Sequence, residues 1–352
     1  MRTVSVKASR SYEVKIGRDL LKTVGAEAAS LMKGRAAAIV SDSNVAPLYL
    51  EQTRASLESA GFRTCSFVFP AGEGSKNGQT YLDLLEFLAE HQITRSDTLV
   101  ALGGGVTGDL TGFAAATFLR GVAFIQIPTT LLAAVDASVG GKTAIDLKNG
   151  KNLAGAFYQP RLVLCDLDTL STLPADVFAD GCAEVIKYGM IGDPGLLELL
   201  ETTDFRADPE EIVARCIAQK RDLVEEDEFD TGARQLLNLG HTIGHGIEAC
   251  SSYELSHGKA VAIGMTLITR AAAAFGQCPP EALPRLRALL KRYDLPDTTG
   301  YGAEELYEKT LSDKKRTGST ISLVVPTAWG KSELQKVAVA DLLLWIKKGL
   351  NL

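Results

Sequence analysis

The chain has 352 residues, of which 46% are hydrophobic and 23% charged, so it has the length of two compact domains and a composition that excludes wholesale disorder. Its formal net charge of -6 excludes a general attraction to nucleic acid or anionic membranes, because both require a basic surface. An anionic ligand therefore needs a local cluster of cationic side chains.

Membrane insertion and secretion are both disfavoured by the sequence. The most apolar stretch, residues 113–135, is interrupted by Arg120, Gln126 and Pro128, so no membrane-spanning helix is predicted. The six cysteines form no C-x-x-C pair, and the N-terminus lacks the apolar core of a secretory signal. The prediction is a cytoplasmic protein with reduced thiols.

The first half of the chain alternates β-branched runs with helical patterns, which favours a mostly parallel sheet with crossover helices. Residues 3–16 alternate polar and apolar side chains around a turn and are predicted to form an antiparallel hairpin on the sheet edge. Apolar residues at helical spacing predict helices over 45–60 and 81–90. Strands are predicted over residues 36–40, 63–69, 98–102, 123–127 and 162–165.

Helical periodicity dominates after about residue 172, with one β-like run at 320–325. The predicted fold is an α/β N-terminal, Rossmann-like domain with a mostly parallel sheet over residues 1–172, followed by an all-α C-terminal domain over residues 173–352. A turn-rich stretch at 171–175 marks the boundary. Helices are predicted over 196–201, 210–224, 233–250, 260–275 and 284–293.

A glycine-rich loop follows the predicted strand at 98–102. Gly103, Gly105 and Gly108 satisfy G-x-G-x-x-G, a pattern that lets backbone N–H groups and a helix N-terminus approach a pyrophosphate. No acid stands on a strand end about 20 residues later; Asp42 follows a strand upstream instead, so a dinucleotide would be bound in a different chain order. The motif alone fits a tight turn with close helix packing equally well.

Three of the four histidines lie within 17 residues. His241 and His245 are four residues apart in a helical pattern and share one face, and His257 opens the next helical segment. Catalytic zinc takes about three His, Asp or Glu ligands, and Glu184, in an otherwise apolar helical stretch with Lys187 three positions on, is the candidate carboxylate. The alternative is a helix of solvated histidines and a Glu184–Lys187 ion pair; the clustering favours metal.

Several polar side chains recur where apolar neighbours indicate partial burial. In an acidic protein such donors form a local anion site, because Lys and Arg bind phosphate and carboxylate through charge-assisted hydrogen bonds. Surface salt bridges are the alternative. Arg234 and His241, seven residues apart, are predicted to share one helical face. The whole set is Arg120, Asp136, Lys142, Lys151, Asn152, Lys220, Arg234 and Asn238.

Taken together, the segments at 103–121, 128–142, 150–160, 183–187 and 237–249 resemble 3-dehydroquinate synthases, of the sugar-phosphate cyclase superfamily, over almost the whole chain. The resemblance implies an NAD- and zinc-dependent lyase, with cobalt as a second candidate metal. Its substrate would be 3-deoxy-D-arabino-heptulosonate 7-phosphate, converted to 3-dehydroquinate and phosphate in the shikimate pathway. Transient oxidation by NAD, phosphate elimination, re-reduction, ring opening and aldol closure are the implied steps.

The resemblance also implies roles for individual residues. Glu184, His241 and His257 would hold the metal, while His245 would stay in the active site as a proton carrier. Arg120 would reach the phosphate across a dimer interface, which implies a homodimer, and Lys314 or Lys315 would add a substrate contact. Further substrate contacts would be Asp136, Lys142, Lys151, Asn152, Lys187, Lys220, Arg234 and Asn238. The NAD contacts would be Asp42, Asn44, Glu73, Lys76, Gly104, Gly105, Asp109, Thr129 and Thr130.

Three other functions remain as alternatives. A metal-dependent polyol or glycerol-phosphate dehydrogenase of the same architecture would release NADH, but V-G-G-K and G-K-N after the P-T-T segment argue against it. A cyclase of secondary metabolism would differ around residues 136–142. A non-catalytic NAD- or metal-binding regulator would need neither three metal ligands nor an anion cleft.

Overall fold

The computed structural model of the protein describes residues 1–313 and 319–352, and these form two compact units. Lys314 and Lys315, between which the sequence does not choose, lie outside the described residues. The first unit comprises Met1–Leu173 and Cys216–Phe229, and the second comprises Pro174–Arg215 and Asp230–Leu352.

Residues 216–229 group with the first unit, whereas the sequence division assigns every residue after 172 to the second. Side-chain contacts explain this difference. Lys220 Nζ contacts the Asp136 carboxylate and lies 2.5 Å from the Asp136 carbonyl oxygen. Glu228 accepts a hydrogen bond from Gln159 Nε2 at 2.9 Å. Chain position alone gives no sign of these long-range contacts.

The first unit is built on a seven-stranded sheet in the order β1-β2-β9-β6-β5-β3-β4, in which only the edge strand β1 runs antiparallel. The predicted edge hairpin and all five predicted strands are present. The strands are β1 (Arg2–Val6), β2 (Tyr12–Gly17), β3 (Ala36–Asp42), β4 (Arg63–Phe69), β5 (Thr98–Gly103), β6 (Ala123–Pro128), β7 (Lys142–Leu147), β8 (Gly150–Phe157) and β9 (Leu162–Asp166). The helices are α1 (Val24–Leu31), α2 (Ala46–Ser59), α3 (Gly78–Glu90) and α4 (Gly105–Thr117).

The central strands are buried on both faces, which is why they are apolar almost without interruption. Alternate residues enter two different cores. Ile39 and Val100 pack with residues of α1 and α2, whereas Leu99 and Phe124 pack with residues of α3 and α4. Burial of both faces therefore fixes the register of the sheet.

Strand order changes direction between β3 and β5, because β4 lies on one side of β3 and β5 on the other. Open α/β sheets bind ligands outside the carboxyl ends of the strands at such a point. Here β3 ends at Asp42 and β5 ends at Gly103. The glycine loop and the upstream acid therefore stand on neighbouring strand ends.

The second unit is mainly helical but not all-α. Strands β10 (Thr320–Ala328) and β11 (Lys331–Ala338) pair antiparallel, and only β10 has a sequence signal, so the all-α description is wrong for this hairpin. Its helices are α5 (Ala175–Gly192), α6 (Pro194–Thr202), α7 (Pro209–Glu226), α8 (His241–Cys250), α9 (His257–Ala274), α10 (Ala282–Arg292), α11 (Ala303–Asp313) and α12 (Val339–Leu350), with the end of α7 in the first unit. Among the described residues, no helix combines the length and apolar character needed to cross a bilayer.

The helix predicted over 233–250 is interrupted. A 3-10 helix covers Ala233–Asn238, and Gly240 then adopts a left-handed φ of 78° before α8 starts at His241. A Cβ on Gly240 would lie 2.7 Å from the carbonyl oxygen of Val261, so only glycine fits. The prediction that Arg234 and His241 share one helical face is therefore wrong.

Candidate functional site

The glycine loop of the first unit is a tight turn between β5 and α4. A Cβ on Gly103 would lie 2.3 Å from Thr107 Oγ1, and one on Gly104 would lie 3.1 Å from Thr130 Cγ2. Thr129 N donates to the Gly103 carbonyl at 3.0 Å, so the residues after β6 lie against the loop. These contacts show a tightly packed turn that leads directly into the N-terminus of α4, the end of a helix that favours an anion such as a pyrophosphate.

Asp42 is held beside this loop. One carboxylate oxygen accepts backbone N–H bonds from Asn44 at 2.9 Å and Val45 at 3.1 Å, and the other accepts from Thr107 Oγ1 at 3.3 Å. The structure therefore brings the predicted dinucleotide contacts on β3, β5 and β6 to one edge of the sheet.

The first unit also contains a buried lysine that lies close to three carboxylates. Lys76 is 5% exposed, and its Nζ lies 2.7 Å from Glu73 Oε1, 3.5 Å from Asp109 Oδ2 and 3.7 Å from Asp146 Oδ1. Burial raises the pKa of Asp109 to about 7, although Lys76 opposes the shift. Burial alone would also raise the pKa of Glu73, but Lys76 outweighs it and the pKa is lowered.

The raised pKa of Asp109 predicts a pH-dependent stability. Between the ordinary pKa of 3.8 and the folded value of about 7, the folded chain holds more protons than the unfolded chain, so stability falls as pH rises through this window. In the wild type the free energy of unfolding is expected to fall by at most about 1.4 kcal/mol per pH unit in this window. Asp109→Asn is expected to lack this fall. Urea unfolding of both proteins at about pH 5 and about pH 8 measures it; equal pH dependence in the two would contradict the assignment.

The predicted substrate residues of the first unit fall into three places. Lys142 and Asn152 line one cavity of about 470 Å³ along the β7–β8 hairpin, together with Asp109, a predicted NAD contact. Asp136 contacts Lys220. Arg120 stands apart, because it precedes the amino end of β6, whereas the Asp42 and Gly103 positions follow carboxyl ends. Its turn is unusual: Leu119, Arg120 and Gly121 all have positive φ.

The second unit gathers the predicted metal ligands. Glu184 lies on α5 and is 1% exposed, while His241 and His257 are the first residues of α8 and α9. Glu184 Oε1 lies 3.7 Å from His241 Nε2 and 3.4 Å from His257 Nε2, and all three ligand atoms lie within 4.8 Å of one another. These separations exceed the usual N–H···O length of about 3.0 Å. They match the roughly 3.3 Å between ligands of a tetrahedral zinc ion, so the three residues fit a divalent cation.

Close helix packing explains this convergence. A Cβ on Gly258 would lie 2.0 Å from the Asp180 carbonyl oxygen, and one on Gly264 would lie 2.1 Å from that of Gly240. Glycine at both positions lets α9 approach α5 and the turn before α8. His257 is adjacent to Gly258, so the same contact carries its ring toward Glu184.

The electrostatics of the cluster are set by buried partners. Lys187, 1% exposed, contacts Glu184 Oε2. Burial and the nearby Lys187 lower the pKa of His241. Burial alone would lower the pKa of His257 as well, but Glu184 and Glu248 outweigh it and raise it to about 10. A cation bound here would replace that proton.

The remaining predicted residues of this unit lie on the same elements. The His245 ring centroid is 5.5 Å from that of His241 and 6.0 Å from that of His257. Arg234, 1% exposed, and Asn238 lie on the 3-10 helix that precedes α8. The structure thus brings His245 to the cluster and places Arg234 and Asn238 on the segment leading into it.

Family models match both halves of the chain. The model described as 3-dehydroquinate synthase N-terminal covers residues 66–180, and the one described as 3-dehydroquinate synthase C-terminal covers residues 181–316. The chain belongs to the 3-dehydroquinate synthase family. The 3-dehydroquinate synthase of Pelobacter propionicus is 46% identical over 341 residues, covering 95% of each chain.

Two solved structures are similar over almost the full length. One is 2-deoxy-scyllo-inosose synthase complexed with carbaglucose-6-phosphate, NAD+ and Co2+, with a TM-score of 0.88 and 26% identity, covering 99% of this chain and 100% of that one. The other is a 2-epi-5-epi-valiolone synthase from Streptomyces hygroscopicus with NAD+ and Zn2+ bound, with a TM-score of 0.88 and 25% identity, covering 100% and 99%. Both proteins therefore have a fold similar to that of this member of the 3-dehydroquinate synthase family.

Sequence reasoning missed two acids of the site. Glu248 is 3% exposed, and its Oε1 lies 3.0 Å from His257 Nδ1. Its position seven residues after His241, in an apolar helical stretch, is a signal that could have found it. Asp146, beside Lys76, has no such signal, because an acid at the end of a short strand is common on protein surfaces.

Glu248→Gln is expected to weaken metal binding about tenfold to a hundredfold, because a carboxylate that accepts from His257 Nδ1 orients the ring and strengthens Nε2 as a ligand. Chelator competition with zinc measures the affinity in this family member. Glu254→Gln, an exposed acid on the turn after α8, serves as the control and should bind zinc normally. Unchanged zinc affinity in Glu248→Gln would contradict this role.

Proposed function

We propose that the protein catalyses the 3-dehydroquinate synthase reaction, converting 3-deoxy-D-arabino-heptulosonate 7-phosphate to 3-dehydroquinate and phosphate. The observation that carries the proposal is the convergence of Glu184, His241 and His257 in a chain of this family. The first unit would bind NAD, and the second unit would bind the metal. A cytoplasmic location is also proposed, with support from six cysteines that are all free thiols.

NAD and a divalent cation are the proposed cofactors. Support comes from the donor set of the second unit and from the similar structures that hold NAD+ with Co2+ or Zn2+. Bound NAD would supply a reversible hydride acceptor, and bound zinc a Lewis acid that lowers the pKa of a coordinated hydroxyl. NAD would be held by Asp42, Asn44, Glu73, Lys76, Gly104, Gly105, Asp109, Thr129 and Thr130.

The chain's own residues would orient substrate and move protons. Glu184, His241 and His257 would hold the cation, and His245, whose ring neighbours both imidazoles, would carry a proton to or from the substrate. The buried charge of Lys187 stands against the Glu184 carboxylate and would offer a donor to a substrate oxygen.

Phosphate and carboxylate of the substrate need cationic partners in a chain of net charge -6. Lysine and arginine side chains in fixed positions would hold both groups and keep the reacting atoms aligned. The proposed substrate contacts are the cationic side chains Lys142, Lys151, Lys220 and Arg234, with the polar side chains Asp136, Asn152 and Asn238.

A homodimer is proposed because the family resemblance implies that Arg120 reaches the phosphate across a dimer interface. The turn of Arg120 lies at the amino edge of the sheet, away from the dinucleotide contacts at the carboxyl edge of the same unit. This position is compatible with Arg120 serving the phosphate of a second copy of the chain.

The test compares the amount of inorganic phosphate released with the amount of NADH that accumulates. Purified protein supplied with the heptulosonate phosphate, NAD and zinc is expected to release inorganic phosphate with no net accumulation of NADH, since the cofactor is reoxidised in each turnover. Net NADH formation without phosphate release would favour the metal-dependent dehydrogenase instead. Absence of both products would overturn the proposal.

A further inference from the structure

Asp146, near the end of β7, contacts two segments of the first unit at once. Its Oδ1 accepts a hydrogen bond from the backbone N–H of Asn152 at 2.8 Å and lies 3.7 Å from Lys76 Nζ. Its own backbone N–H donates to the carbonyl oxygen of Lys76 at 2.7 Å. One residue therefore joins the β7–β8 hairpin to the segment that carries Lys76.

The hairpin is irregular at this point. Ile145 pairs with Ala154 and Leu147 pairs with Gly150, so the three residues 151–153 of β8 face the single residue Asp146. Extra residues in one strand form a bulge, which redirects side chains. Within this bulge Asn152 has a left-handed φ of 55°, a conformation that asparagine tolerates better than most residues.

The hydrogen bond from Asn152 to Asp146 holds the bulge in shape. The bulge carries Lys151 and Asn152, both proposed substrate contacts, and Asn152 shares a cavity with Lys142 and Asp109. Lys76 is the buried cation that Asp109 and Glu73 surround. The Asp146 carboxylate is thus placed between the substrate side and the dinucleotide side of the first unit.

We propose that Asp146 is a positioning residue that holds the bulge bearing Lys151 and Asn152 in its substrate-binding shape and ties it to Lys76. This inference rests on the proposed function. Asp146 would act through its contacts with Asn152 and Lys76. Loss of its acceptor is therefore expected to weaken substrate binding more than it slows the chemical steps.

Two substitutions of Asp146 separate the effect of losing its hydrogen-bond acceptor from the effect of losing its negative charge. Asp146→Ala removes the acceptor for Asn152 N–H, whereas Asp146→Asn keeps an oxygen in the same place. Asp146→Ala is expected to raise KM for the heptulosonate phosphate about tenfold, with kcat within about twofold, and Asp146→Asn to restore most of the loss. Asp146→Val, which also lacks an acceptor and has a side chain suited to a strand, replaces the alanine variant if that variant does not fold.

Amide hydrogen exchange over residues 148–153 tests the same contact without substrate. Exchange there is expected to be faster in Asp146→Ala and close to wild type in Asp146→Asn. Asp97→Ala is the control, because Asp97 Oδ1 also accepts a backbone N–H bond, from Ala36 at 3.0 Å, at the amino end of β5. That control should lose stability while KM stays unchanged.

The outcomes distinguish this inference from the proposed function. An active wild type with unchanged KM in Asp146→Ala, or unchanged exchange at 148–153, would overturn the positioning role. Equal KM in Asp146→Ala and Asp146→Asn would also overturn it, because the acceptor would then not matter. A wild type that releases no phosphate would overturn the proposed function, and the exchange experiment would still decide whether Asp146 holds the bulge.

Discussion

Glu184→Gln is expected to lose turnover and bound metal together, with kcat/KM lowered about 10³-fold or more, since the cation would stabilise charge in the reaction by several kcal/mol. The amide is close in shape to the carboxylate, but it is neutral and a poor ligand. The change also leaves Lys187, 1% exposed, facing an uncharged group. Metal analysis of the purified variant and steady-state phosphate release measure both losses.

Glu201→Gln is the matched control for Glu184→Gln. Its carboxylate belongs to the same unit and pairs with Arg285 at 2.7 Å, away from the histidines in sequence and in hydrogen-bond partners. It should keep full metal content and normal turnover. A Glu184→Gln protein that binds one metal ion per chain and turns over at the wild-type rate would contradict the account.

Lys76→Met is expected to lose both NAD affinity and stability. The lysine is the cation among Glu73, Asp109 and Asp146, so its removal leaves three partly exposed carboxylates with no positive partner at that point. Breaking a fully buried ion pair from one side typically costs about 3–5 kcal/mol, and the partial exposure of these carboxylates places the cost below that range. Calorimetric titration with NAD measures the affinity, and urea unfolding measures the stability.

Lys15→Met provides the comparison for Lys76→Met. Lys15 Nζ lies 2.7 Å from Glu27 Oε1 in the same unit, but the Lys15 side chain is 18% exposed, against 6% for that of Lys76. Its removal should cost about 1 kcal/mol or less and leave NAD binding unchanged. If Lys76→Met bound NAD as tightly as wild type and unfolded at the same urea concentration, the proposed role of this lysine would be wrong.

The parts of the fold that the sequence predicts are those whose physical cause is local. Strands β3, β5 and β6 are mostly apolar because both faces are covered, and α3 has apolar residues at helical spacing. The β7–β8 hairpin gives no such signal, because much of β8 is exposed and its register contains a bulge. The break at Gly240 depends on contact with α9, which no local pattern contains.

The residues of the candidate site also fall into two groups, those that a local sequence signal predicts and those that it does not. Glu184 is predictable because a charged residue among apolar neighbours on a helix must have a partner, and the histidine spacing points to a shared face. The roles proposed for Asp42, Lys76 and Lys142 come from the family resemblance, since single polar residues on strand ends have many uses. Asp146 and Glu248 act through other side chains, and such contacts become visible only once the chain is folded.

The most direct test of the metal centre is anomalous X-ray diffraction at the zinc absorption edge from crystals grown with zinc. We expect one strong peak about 2.0–2.1 Å from His241 Nε2 and His257 Nε2, and about the same distance from a carboxylate oxygen of Glu184. A peak at other residues, with these three side chains turned away from one another, would contradict the account.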